Sequence, residues 1–241
     1  MMKKLLVAIA LLALLPISIN AQNWLTLKSG GGIGTTLGYS QEVNAGLSTS
    51  FGIGYKHQIS NQLLLEGDLL LDGRAVEYFT GYLDADDIPI YSPGTGAYIQ
   101  VPITLQYMIP FKKKELVPYR MGQPKSFWFI EGGPYVAYGS SVSAFYDPDI
   151  LALWTDPESD TFTTKDLTPR KIDVGITTGI GINFSLGDEG KTRLIVGTRA
   201  NYGFLNLFRD SRLGTATNFS AVGYIALDFS LTNRKYIKYR W

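Results

Sequence analysis

Cysteine is absent from the 241 residues of this chain, and histidine occurs once, as His57. Without cysteine there are no disulfide staples and no lipidated N-terminal cysteine, so stability has to come from a core, an oligomer or a membrane. The formal net charge is only +1, which removes bulk attraction to nucleic acid. After the first segment no apolar run approaches the ~20 residues of a membrane-spanning helix, and no amphipathic helical stretch of useful length is present.

That first segment, MMKKLLVAIALLALLPISINAQ, has Lys3 and Lys4, an apolar run from Leu5 to Leu15, Pro16, and a small-residue exit at Ala21. This order predicts a secretory signal peptide over 1–21, cleaved between Ala21 and Gln22. The exported part, 22–241, has the length of one large all-β domain and ends in a short basic tail, 232–241.

What the chain does have is strand patterning. In IDVGITTGIGINFSL, residues 172–186, one parity carries Ile172, Val174, Ile176, Ile180, Ile182, Phe184 and Leu186. The other carries Asp173, Gly175, Thr177, Gly179, Gly181, Asn183 and Ser185. The period is that of a strand, but a row of glycines is an unusual water-facing surface. With turn residues as boundaries, eight such segments emerge: roughly 25–39, 45–57, 62–78, 97–109, 126–139, 171–186, 192–204 and 219–231. They predict an all-β fold, an eight-stranded antiparallel up-and-down transmembrane β-barrel. Connections 58–61, 111–124 and 187–190 alternate with 40–44, 79–96, 140–170 and 205–218, the second set being mostly longer. Outer-membrane barrels have short periplasmic turns and long outer loops, so the longer set is expected outside and both termini in the periplasm; Phe111–Pro124 is long for such a turn.

A soluble barrel turns its large apolar residues inward, whereas a membrane barrel turns them to lipid. The apolar parity holds Leu25, Leu27, Ile33, Leu37; Leu47, Phe51, Ile53, Tyr55; Leu63, Leu65, Leu69, Leu71; and Ile99 to Tyr107 at alternate positions. Leu194, Val196, Ala200, Tyr202, Phe219, Ala221, Ile225, Leu227 and Phe229 continue it. Every mid-strand charge lies on the opposite parity, with the glycines and serines. A lipid-facing Lys or Arg at mid-membrane costs ~2–4 kcal/mol, which gives this exclusion its cause. The predicted lumen therefore holds Lys28, Glu66, Asp68, Arg74, Glu131, Arg199 and Asp228, which should pair with one another. In the fifth segment both parities are apolar, and Glu131 sets the choice. Eight strands leave a lumen that side chains fill, so no open channel is expected. Tyr55, Tyr107, Trp128, Phe184 and Phe229 form one predicted interfacial belt; Tyr39, Tyr138, Tyr202 and Phe219 form the other.

YIQVPITLQY (98–107), IEGGPYVAYG (130–139), IDVGITTGIGINF (172–184) and RANYGFLNL (199–207) resemble, in order and spacing, the PorT-like outer-membrane β-barrel family. The resemblance covers most of the exported chain. It implies an integral protein of the cell outer membrane; the founding members of that family are associated with protein secretion and surface assembly. Pro102 then falls within the fourth strand, where its missing N–H needs a bulge or a weakly paired position. A terminal aromatic is a common insertion signal in such barrels, and either Phe229 or Trp241 is placed for it.

No residue set predicts catalysis, a cofactor site or a metal site. His57 adjoins a periplasmic turn, away from the outer rim where a lipid-modifying enzyme would need its base. GGGIG (30–34) lacks the Lys and Ser/Thr of a phosphate loop and reads as close-packed lumen-facing strand. Acidic runs DADD (84–87), DPD (147–149) and DPESD (156–160) lie in outer connections without the spacing of a calcium loop. The expected partners are outer-membrane lipids and secretion or envelope proteins. Two routes to the proteins stand out: loop 140–170, with its apolar ILALW (150–154), and the basic turn and tail. The basic groups are Lys112, Lys113, Lys114, Arg120 and Lys125, then Arg234, Lys235, Lys238 and Arg240. A small-solute pore and a surface-ligand binder are the alternative functions.

Overall fold

The computed structural model describes residues 22–37, 43–60, 62–83, 89–111, 126–144, 170–186, 191–207 and 216–231. The predicted signal peptide, the acidic runs, ILALW, the basic turn and the tail lie outside these residues, as do Tyr39 and Trp241.

Eight antiparallel strands follow in order: β1 (Asn23–Leu37), β2 (Val43–Gln58), β3 (Leu63–Leu83), β4 (Pro89–Pro110), β5 (Ser126–Ala144), β6 (Ile172–Leu186), β7 (Thr192–Gly203) and β8 (Thr217–Ser230). Each pairs with the next, and β1 closes on β8 from Trp24↔Ser230 to Leu37↔Thr217, leaving no free edge along the barrel wall. Closure matters in hydrocarbon, where an unpaired backbone group has no water to turn to. We call the end carrying Asn23 and Ser230 the terminal end and the opposite one the far end.

The alternation of each strand turns the barrel inside out. Leu47, Phe51 and Ile225 are 69%, 59% and 59% exposed, whereas Lys56, Glu66 and Asp228 are 1%, 0% and 1% exposed. A water-soluble barrel of this composition would face the reverse way, so the exposed alkyl surface requires a bilayer around it. Exposed rings border that surface. Tyr55, Tyr107, Trp128, Phe184 and Phe229 lie toward the terminal end, with Phe111 edge-on to Trp128 at 5.7 Å. Tyr138 and Tyr202 lie toward the far end, where Phe204 packs edge-on to Tyr202 at 5.8 Å.

Strand limits differ from the sequence reading mainly at the far end. The connection expected over 79–96 is mostly strand, because β3 runs to Leu83 and β4 begins at Pro89. Ser92, Pro93 and Gly94 suggest a turn, yet they pair with Tyr78, Glu77 and Val76. The register of β4 with β5 begins only at Gly94, so Pro93 needs no donor on its second edge. By the same extension β5 continues past residue 139 to Ala144. Pro102 does occupy a weakly paired position: the β3–β4 register runs from Gly67↔Ile103 to Leu70↔Gln100 without partners between, and does not shift.

Inward and outward glycines have different causes. A Cβ on inward Gly32 would collide with the Ala221 carbonyl oxygen, so no side chain fits. On outward Gly31 it would meet only the Ser48 carbonyl, at 3.8 Å. Gly32→Ala is therefore expected to destabilise the folded barrel by ~1–3 kcal/mol, as overpacking does. Gly31→Ala should be neutral or stabilising by up to ~1 kcal/mol. Urea titration of the two variants refolded in lipid vesicles checks the contrast.

Candidate functional site: the barrel lumen

The lumen is built in layers, each assembled from inward positions of many strands. At the terminal end Trp24 (β1), Leu64 (β3), Met108 (β4), Phe127 and Phe129 (β5) and Ile195 (β7) form one buried apolar cluster, with buried Gln58, Asn183 and Arg193 around it. Arg193 lies over it, its guanidinium carbon 4.6 Å from the Trp24 ring centroid and 5.6 Å from that of Phe127. Such cation–π contacts gain strength away from water.

Above this plug lies an ionic layer. Lys28 Nζ is 2.7 Å from both Glu66 Oε1 and Asp68 Oδ2. Arg199 reaches across from β7, placing Nη1 2.9 Å from Asp68 Oδ2 and Nε 2.8 Å from Glu131 Oε1. The Gln106 amide nitrogen donates to Glu66 at 2.5 Å and to Glu131 at 2.7 Å, linking two carboxylates that would otherwise repel. Lys56 Nζ lies 3.1 Å from Asp228 Oδ2 and 3.5 Å from Glu66 Oε1, and Thr26 donates to the other Asp228 oxygen at 2.7 Å. Every strand except β6 supplies a member of this layer. The Tyr224 ring lies beside the cations, 5.3 Å from Lys28 Nζ and 5.5 Å from Arg199 Cζ.

A second polar layer surrounds Arg74 nearer the far end. Its Nε is 2.7 Å from Asp72 Oδ2, its Nη1 3.2 Å from Asp173 Oδ2, and its Nη2 donates to Gln100 Oε1 at 2.6 Å. Gln100 continues to Asn201 at 3.2 Å and Asn201 to Ser220 at 3.1 Å. Asp173 also accepts from the Tyr135 hydroxyl at 2.9 Å and the Asn218 amide at 3.2 Å. The Tyr98 ring stacks on the guanidinium, 4.8 Å from its carbon.

Glycine on β6 makes this packing possible. A Cβ at Gly179 would lie 2.7 Å from a Glu131 carboxylate oxygen, at Gly181 2.5 Å from the Phe129 ring, and at Gly175 2.8 Å from the Tyr135 ring. The glycine face of 172–186 thus faces a lumen occupied by the long side chains of β5. Between the ionic layers, Lys28, Asp72, Arg199, Asn201 and Tyr224 border a cavity of about 20 Å³. That is room for about one water molecule.

The seven charges named for the lumen are buried there and paired, as are Lys56, Asp72 and Asp173 on the same parity. Sequence reasoning missed the apolar plug. Its signal was present: Trp24 shares parity with Lys28, Leu64 with Glu66, Met108 with Gln106 and Ile195 with Arg193. His57 is half-buried at the terminal end, its Nδ1 2.8 Å from Asn23 Oδ1, remote from the far rim. Among the described residues no His, Cys, Asp and Glu cluster is arranged to hold a metal ion.

No protein-family profile and no curated protein sequence matches the chain. Solved structures do match. The outer membrane protein OprG from Pseudomonas aeruginosa aligns over 89% of this chain and 98% of its own, at 9% identity and a TM-score of 0.51. The fold is that of an eight-stranded outer-membrane barrel. Neisserial surface protein A aligns over 85% of this chain and 96% of its own (11% identity, TM-score 0.42). The N-terminal β-barrel domain of OprF from Pseudomonas aeruginosa aligns over 88% and 99% (9% identity, TM-score 0.40). With a closed wall, an alkyl outer surface and enclosed charge, this chain is an integral protein of the outer membrane.

Removing one member of the ionic layer strands its partners. Arg199→Met is expected to lower stability by ~3–5 kcal/mol, since Glu131 loses its cation and Asp68 one of its two within the lumen. Adding Glu131→Gln should recover part of that loss, with a coupling of about 1 kcal/mol or more in the double-mutant cycle. Additive losses in urea unfolding would contradict the pairing.

Proposed function

We propose that the chain is a non-enzymatic, non-conducting outer-membrane barrel with a structural or interaction role, attached to protein secretion or cell-surface assembly. The single observation that carries the non-conducting part is the filled lumen: an apolar plug, two ionic layers, and between them a cavity of about 20 Å³. A hydrated solute needs a continuous polar path, and the buried Trp24, Phe127 and Phe129 interrupt one at the terminal end. The secretion setting rests on the PorT-like resemblance of segments 98–107, 130–139, 172–184 and 199–207. In this reading the termini face the periplasm and the far end faces outward, following the loop lengths of such barrels. Protein partners are met by loop 140–170 outside, or by the basic turn 111–124 and tail 232–241 inside.

In planar lipid bilayers the wild-type protein is expected to give no stable single-channel steps, whereas Trp24→Ala combined with Phe129→Ala should give measurable ones. A steady wild-type current would favour a small-solute pore instead. Deleting residues 146–168 should leave heat-modifiable gel mobility unchanged and abolish recovery of envelope proteins after gentle detergent extraction. Unchanged recovery would exclude that loop as the contact and leave the turn and tail.

A further inference from the structure

We propose that Arg170 and Lys171, on the far rim above β6, bind the phosphate-bearing headgroup of an outer-leaflet lipid whose acyl chains lie on the apolar wall below. The inference rests on the orientation proposed above. Both residues are exposed, and among the described residues neither makes an ion pair, in contrast to the cations of the two ionic layers. Their backbone is held from both sides: Gly139 N donates to the Lys171 carbonyl, and Arg170 N to the Leu207 carbonyl at 2.7 Å. The Leu207 segment is itself tied down, Phe204 N to Val174 O at 2.8 Å and Leu207 N to Ala216 O at 2.6 Å. The two cations thus start from a fixed rim.

Directly beneath them the outer wall changes character. Ile172, Tyr138 and Phe204 are 54%, 51% and 55% exposed, and Tyr138 is the ladder partner of Ile172. With Tyr202 edge-on to Phe204, this is the aromatic border of the lipid-facing surface. Such rings mark the headgroup level of a bilayer, so the cations stand where lipid phosphates lie. Arg170 and Lys171 directly precede β6, whose lipid-facing side begins at Ile172. Positive charge above a continuous apolar shelf complements an anionic amphiphile. A soluble anion would have no use for the shelf.

The test uses the full chain, folded in phosphatidylcholine nanodiscs and titrated with bisphosphorylated lipid A, with bound lipid counted by native mass spectrometry. A cation near a charged membrane surface is worth ~1 kcal/mol, so Arg170→Ala and Lys171→Ala should each weaken binding about fivefold and the pair about thirtyfold. Phe204→Ser should weaken it as well, and heat-modifiable mobility verifies folding throughout. Wild-type affinity in the double variant, or displacement of lipid A by inorganic phosphate alone, would overturn the proposal. Because the chain has no cysteine, Lys171→Cys gives a single label site. Its reaction with an impermeant maleimide on intact cells supports the orientation. Failure to react refutes the orientation itself, whereas labelling without any loss of lipid binding in the alanine variants refutes only the lipid assignment.

Discussion

Charge enclosed within hydrocarbon has to be neutralised by charge across the lumen, and this constraint organises the rest of the molecule. Lys28 on β1 answers Glu66 and Asp68 on β3, and Arg199 on β7 answers Asp68 on β3 and Glu131 on β5. These contacts cross the barrel, whereas the ladder joins only neighbours. The wall fixes the distance between partners, and the partners fix which residues of the wall point inward. A slip of one residue in any strand but β4 would turn an ion toward lipid, and in β4 it would turn Gln100 and Gln106 there. The network therefore specifies register more than it adds stability, since desolvation offsets much of the attraction in a buried pair.

Volume is the second constraint. Eight strands enclose little space, and long charged and aromatic side chains must interleave within it. Glycine on β6 meets this need beside Glu131, Phe129 and Tyr135, while glycine at position 31 has no such neighbour. A close-packed lumen with an apolar floor and ionic layers above it serves as a rigid support. That suits the rim contacts proposed above.

Period-two parity carried most of this architecture. Isoleucines 176 and 180 against Asp173, or Leu69 against Asp68, were enough to orient whole strands, because a charge facing lipid is so unfavourable that parity is nearly binary. Strand ends were less legible: Ser92, Pro93 and Gly94 read as a turn, and only the loss of the β5 neighbour allows a strand there. The plug was hidden for another reason. Phe127 and Phe129 share the parity of Glu131, but with Trp128 and Ile130 between them both faces are apolar, so one carboxylate was the sole sign of which rings fill the lumen. Which carboxylate each cation meets was out of reach, since Lys56 opposite Asp228 depends on the closure of β1 on β8.

The distribution of the ionic layer over β1, β2, β3, β4, β5, β7 and β8 also bears on how the protein reaches its membrane. A half-assembled sheet, short of β7 and β8, would present Glu66, Asp68 and Glu131 to the bilayer with Arg199 missing. Stepwise threading of hairpins would thus pass through a state with Glu131 lacking its cation. Entry into lipid and final joining of the first and last strands become a single concerted event.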